Sequence, residues 1–126
     1  MIGKTRVCPN SNPFFNGVSL AVKTITGEAS GTSYTLTEDD FTILADATAG
    51  VVTVNLPDAT TCKGRVYVIK KIDTGTNAVT IDGNGSQTID GDTSVNISNA
   101  NEVRVIQSDG ANWYVIGPLN ITITSP

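Results

Sequence analysis

Arg65-Val66-Tyr67-Val68-Ile69-Lys70-Lys71-Ile72 is the longest stretch of the chain with a strand-like pattern. Side chains alternate across a strand, so Val66, Val68, Lys70 and Ile72 share one face, and Tyr67 and Ile69 the other. Both faces are apolar at the centre. Such a strand belongs inside a sheet or at a contact, not at a wet edge. The rest of the chain points the same way. Of 126 residues, 18 are Thr, 13 Val and 12 Ile, against only 5 Leu. Side chains branched at Cβ are stiff at χ1, suit a pleated sheet and weaken helices. The composition predicts an all-β protein.

Outward from that stretch, further short runs alternate apolar and polar residues, at 33–37, 41–45, 51–56, 78–82, 87–90, 93–97, 102–107, 112–116 and 119–124. Pro57 stops one run, and Asp-Gly steps at 82–83, 90–91 and 109–110 fall between others. Asp and Gly tolerate the positive φ of tight hairpins, so these steps read as turns. About ten short strands at near-regular spacing predict a compact antiparallel β-sandwich or jelly-roll-like body over residues 31–126.

Residues 1–30 read differently. Two X-Pro steps, Asn and Gly punctuation and the adjacent Phe14-Phe15 leave no sustained period, although 18–25 alternates as a strand would. Residues 1–27 hold Lys4, Arg6 and Lys23 and no acid, whereas 28–126 hold five bases and twelve acids. Two readings follow: an N-terminal arm that orders on a partner, and an extra edge strand of the body. The arm reading makes Lys4, Arg6, Phe14, Phe15 and Lys23 the candidate attachment residues.

Composition also restricts the chemistry. The chain has no His, which removes the usual general base, the Ser-His and Cys-His pairs and the commonest metal ligand. Carboxylates lie close together at Glu38 and Asp40 and at Asp90 and Asp92, without an aromatic-walled cleft around either pair. The segment from Asp82 to Asp92 has oxygen groups at alternate positions but departs from the EF-hand loop, with no Gly at its sixth position and Thr93 at its twelfth. It reads as a pair of β-turns. No catalytic residue, metal or cofactor is expected. A net charge of −4, with aromatics not interleaved with bases, disfavours nucleic acid. No apolar run is long enough for a transmembrane helix, and Cys8-Pro-Asn-Ser-Asn-Pro interrupts any leader-like segment. Without export, Cys8 and Cys62 are expected as two reduced thiols.

The order of several blocks carries a resemblance. They are Thr37-Glu-Asp-Asp-Phe-Thr-Ile-Leu-Ala-Asp46, Val52-Thr-Val-Asn-Leu-Pro57, Lys63-Gly-Arg-Val-Tyr-Val-Ile-Lys-Lys71, Ala78-Val-Thr-Ile-Asp82, Thr88-Ile-Asp-Gly91 and Ser108-Asp-Gly-Ala-Asn-Trp-Tyr-Val-Ile116. Together they resemble a β-domain of tailed-bacteriophage virion proteins, found in tail fibres, head fibres and capsid-decorating proteins, commonly as trimers. The resemblance implies a structural, non-enzymatic role on the virion surface after assembly in the host cytoplasm. Its implied partners are other copies of the chain and the major capsid protein or another virion protein. No fibrous repeat precedes the body, which favours a capsid cement, decoration or head-fibre protein over a short tail-fibre or tail-tip component. The doubly apolar strand makes Tyr67 and Ile69 the expected trimer contact.

Overall fold

From β1 to β6 the chain changes sheet at every connection. A computed structural model describes residues 19–118. It contains β1 Val22–Thr26, β2 Thr32–Thr35, β3 Thr42–Asp46, β4 Val52–Asn55, β5 Val66–Lys71, β6 Val79–Asp82, β7 Ser94–Ile97, β8 Val103–Ser108 and β9 Trp113–Gly117, with one 3-10 turn at Ala59–Thr61. One sheet has the order β1-β3-β5-β8-β9 and the other β2-β4-β6-β7. The protein is all-β, with two mixed sheets.

The antiparallel expectation is corrected. β1, β3 and β5 are mutually parallel neighbours, and so are β2, β4 and β6. Only β5–β8, β6–β7 and β8–β9 pair antiparallel. A parallel pair needs a crossover between its strands, and here the crossover is a strand of the opposite sheet. Three coils therefore stack: Val22 lies beside Thr42 and Thr42 beside Val68, while Thr32 lies beside Val52 and Val52 beside Val79. The Asp-Gly steps all fall where the chain later stays within one sheet, in the β6–β7 and β8–β9 connections. In the β8–β9 turn, Asp109 Oδ1 accepts from the Ala111 and Asn112 amides, and Gly110 takes φ +95°.

The boundary expected at residue 30 also moves. Residues 22–26 are an edge strand of the body, hydrogen-bonded along β3. Residues 1–18 lie outside the described residues, as do 119–126 and the strand expected at 119–124. The run at 87–90 makes only isolated bridges, from Ile89 to Asp92 and to Trp113.

Apolar side chains from both sheets meet in one buried cluster, among them Ile43, Val54, Tyr67, Ile69, Ile81 and Ile106. Where the first two coils turn, Gly27 and Gly50 sit back to back. A Cβ on Gly27 would stand 2.6 Å from the Gly50 carbonyl oxygen, and one on Gly50 would collide with the Glu28 carbonyl. The opposing atoms are backbone, so neither can swing aside. Gly50→Ala should therefore cost about 1–3 kcal/mol by overpacking. An unchanged urea midpoint would show that the corner can relax.

Candidate functional site

Tyr67 and Ile69 are 1% and 0% exposed, so the expected trimer contact through them is corrected: they are core. Alternation separated the two faces of β5 correctly but did not identify which was inside. Tyr67 packs against Trp113 at 5.8 Å between ring centroids, and its hydroxyl donates to the Thr37 carbonyl at 3.0 Å. Lys71, on the same inward side, is fully buried. Its ammonium donates to Asp73 Oδ2 at 2.6 Å.

Of the candidate attachment residues, Lys4, Arg6, Phe14 and Phe15 lie outside the described residues. Lys23 is on β1, with Nζ 5.0 Å from the centroid of the Tyr34 ring on β2. A cation over an aromatic face is attracted by the ring quadrupole. This contact links the two sheets at the outermost described coil, so Lys23 has a structural partner within the body.

Of the four carboxylates singled out in the sequence, Asp40 and Asp90 are engaged by the fold. Asp40 accepts from the Tyr34 hydroxyl at 2.7 Å, the Thr37 amide at 2.9 Å and the Thr37 hydroxyl at 3.2 Å. Burial pushes its carboxyl up, but the Tyr34 and Thr37 hydrogen bonds outweigh this and hold it below the usual range. Asp90 takes φ +52°, and its Oδ1 accepts from the Val115 amide at 3.0 Å. Among the described residues no group of three or more carboxylates or thiols converges as a metal site. Cys62 is half-buried with Sγ 3.4 Å from the Asp58 carbonyl oxygen, while Cys8 lies outside the described residues. A cleft lined by Glu38, Thr61, Cys62 and Arg65 has its cation already used. Arg65 donates to the Glu38 and Asp40 carbonyls and covers the Tyr67 ring.

The two outer sheet surfaces differ sharply. On the four-stranded sheet the outward positions form two lateral rows, Ser33–Thr53–Thr80–Asn96 and Thr35–Asn55–Asp82–Ser94. Every member is polar. Asn55 Nδ2 donates to Ser33 Oγ at 2.7 Å, and Thr80 Oγ1 to Asn96 Oδ1 at 2.9 Å. On the five-stranded sheet the corresponding rows are Val22–Thr42–Val68–Val105 and Thr24–Leu44–Lys70–Val103. Val66 lies on the same side, and at the β9 edge Tyr114 and Ile116 are 45% and 53% exposed. Ordinary folding needs one apolar face per sheet. The outer surface of the five-stranded sheet is mixed, with Val22, Leu44, Val66, Val68, Val103 and Val105 beside Thr24, Thr42, Lys70 and Gln107.

This surface was the feature that sequence reasoning missed. Its signal was present in β5 and β8, whose runs are apolar at both parities, whereas β4 and β6 alternate with Thr, Asn and Asp. The chain matches no protein-family model, no curated protein and no solved structure.

Proposed function

We propose that the chain is a non-catalytic structural protein of the tailed-bacteriophage virion surface. In this reading it is a trimeric capsid cement, decoration or head-fibre protein, held on the major capsid protein by residues preceding β1. The observation that carries the reading is how the resembling blocks map onto the body. Thr37–Asp46 supplies the Asp40 turn and β3, Val52–Pro57 supplies β4 and its stop, and Lys63–Lys71 leads into β5. Ser108–Ile116 forms the β8–β9 turn and positions Trp113. The resembling residues are therefore those that build a body, and Asp40, Asp90 and Asp109 among them accept backbone hydrogen bonds.

Attachment falls to Lys4, Arg6, Phe14 and Phe15. Two cations on a chain of net charge −4 would be drawn to an acidic surface that repels the body. Burying the two Phe side chains contributes about 1.5–3 kcal/mol each, multiplied in a trimer by effective concentration. Lys23 belongs to the body and is left out of the arm. A second reading, a short tail-fibre or tail-tip component, is favoured by the stacking of parallel coils along one axis, an arrangement suited to a rod.

Gold-labelled antibody against the chain, applied to intact particles, separates the two readings: label over the head supports the first, and label at the tail tip the second. Particles without label would overturn both. For the arm, a truncation beginning at Ser19 spares β1. It should keep its far-ultraviolet dichroism and lose binding to particles lacking the native protein. Undiminished binding would refute attachment through the arm.

A further inference from the structure

We propose that Asn84 is a covalent modification site: in the folded protein its side-chain amide is lost to attack by the Gly85 nitrogen, leaving aspartate or isoaspartate at position 84. The reaction needs only the chain and water. A base in the solvent removes the Gly85 N–H proton, and the freed electron pair forms a bond to Asn84 Cγ. The Cγ–Nδ2 bond breaks, ammonia leaves with a proton taken from water, and a cyclic imide remains. Water then adds at either ring carbonyl. Opening at Cγ gives aspartate, and opening at the main-chain carbonyl gives isoaspartate, with the chain rerouted through the side chain. Nothing is oxidised or reduced.

Such attack requires a side chain free to turn, a following amide not bonded elsewhere, and no side chain crowding the nitrogen. The chain has two Asn-Gly steps, 16–17 and 84–85, and three Asp-Gly steps, 82–83, 90–91 and 109–110. The step at 16–17 lies outside the described residues. In each Asp-Gly step the fold holds one of the reacting groups. The Gly83 amide donates to the Thr93 carbonyl at 2.9 Å, and Asp90 Oδ1 accepts from the Val115 amide at 3.0 Å. Asp109 Oδ1 accepts from the Ala111 and Asn112 amides, and the Gly110 amide donates to Ser108 Oγ at 3.0 Å. Asn55, Asn77, Asn96 and Asn112 are each followed by a larger residue and are hydrogen-bonded through their side chains.

The step at 84–85 is different. Both residues are exposed, and among the described residues neither the Asn84 side chain nor the Gly85 amide has a hydrogen-bond partner. Beyond the chain neighbours, no atom lies within 4 Å of the place a Gly85 Cβ would take, and Gly85 has φ +57°. Glycine adopts that conformation freely and leaves the nitrogen open.

The product alters what the turn holds. The Asn84 carbonyl accepts from the Gln87 amide at 2.9 Å. The Gln87 side chain in turn reaches the 3-10 turn, accepting from the Ala59 amide at 2.9 Å and donating to Asp58 Oδ1 at 2.7 Å. In isoaspartate the Asn84 carbonyl becomes part of a free carboxylate outside the main chain, and the turn lengthens by one carbon. Either product adds a negative charge to a chain of net charge −4.

The test is incubation of the full chain in a warm, mildly alkaline buffer, beside the same chain unfolded in urea. Tryptic peptides are then read by mass spectrometry with electron-transfer fragmentation, which tells isoaspartate from aspartate. Asn84 falls in peptide 72–104 and Asn16 in peptide 7–23, so the two Asn-Gly steps are read apart. Because an exposed turn without such bonds opens at almost no cost, Asn84 should convert in the folded chain within about threefold of its unfolded rate. Asn77, Asn96 and Asn112 should stay intact, and Gly85→Ala should slow the conversion severalfold. If Gly85→Ala fails to fold, Asn84→Gln takes its place: its longer side chain disfavours ring closure, and peptide 72–104 should then gain no carboxylate at 84. An intact Asn84 in the folded chain would overturn the proposal, as would conversion spread evenly over the asparagines of that peptide.

Discussion

Replacing Asp73 by alanine is expected to destabilise the protein by about 3–5 kcal/mol, the range for removing one partner of a buried ion pair. The Asp73 carboxylate joins the corners of two coils: it accepts from the Ala47 amide at 2.8 Å, the Gly75 amide at 2.9 Å and the Lys71 ammonium at 2.6 Å. Lys71 is fully buried. Without Asp73 its ammonium loses its ion-pair partner, and the Ala47 and Gly75 amides lose their acceptor. Lys71→Met should cost less, because the carboxylate keeps both amide donors and the thioether fills similar volume. Urea midpoints of the two variants give the comparison. Equal losses would show that the amide contacts contribute little.

Acid should remove the same contribution. Burial pushes the Asp73 carboxyl up, but its bonds from Lys71, Ala47 and Gly75 outweigh this and hold it below the usual range. A carboxyl with a lower pKa folded than unfolded stabilises the fold fully above its unfolded value, about 3.9, and loses that effect as pH falls through the folded value. Asp40 shifts in the same direction through Tyr34 and Thr37, and Asp58 through Gln87 and Thr60. Stability should therefore decline below about pH 4, and less steeply in the Asp73→Ala protein.

How far the sequence could be read depended on what alternation encodes. It reports which residues share a face, so runs at 51–56, 65–72 and 102–107 correspond to Val52–Asn55, Val66–Lys71 and Val103–Ser108. It does not report which strand lies alongside, and a parallel neighbour leaves the same mark as an antiparallel one. The coil repeat was hidden because its spacing changes. Thr32, Val52 and Val79 are lateral neighbours, but the second interval is lengthened by the loop around Ala59–Thr61 and one corner residue. The choice of Tyr67 and Ile69 as a contact failed for a related reason. Lys70 and Lys71 place one cation on each face of β5, so neither face was marked as wet. The tie is broken by Asp73, two residues further on, which supplies Lys71 with a buried partner. The outer surface of the five-stranded sheet was half legible, since a strand apolar on both sides implied either an interior position or a contact, and β5 is interior.

Trp113→Ala should be comparably damaging, at about 3–5 kcal/mol for a large aromatic removed from a core. Against a total stability of about 5–15 kcal/mol for a domain, that loss could unfold the chain at 37 °C. Trp113 starts β9, the last strand of the five-stranded sheet, and is 0% exposed. Its amide donates to the Thr88 carbonyl at 2.8 Å, its carbonyl accepts from the Asp90 amide at 3.1 Å, and its indole N–H donates to the Pro57 carbonyl at 3.3 Å. The side chain thus joins the loop after β4 to the Tyr67 ring on β5, while the Trp113 backbone holds the loop between β6 and β7. At the other end of the described coils, Lys23 on β1 lies over the Tyr34 ring of β2. Truncating Trp113 opens a cavity that cannot collapse without moving two loops that are fixed by their own hydrogen bonds. Trp113→Phe keeps most of the apolar area but not the indole bond, and should lose only about 1–2 kcal/mol. Since this is the only Trp of the chain, unfolding of both variants is followed by circular dichroism. In the wild type, its fluorescence should be blue-shifted and shielded from iodide until the fold opens. A loss below about 1 kcal/mol in Trp113→Ala would mean that the indole fills space without holding the loops together.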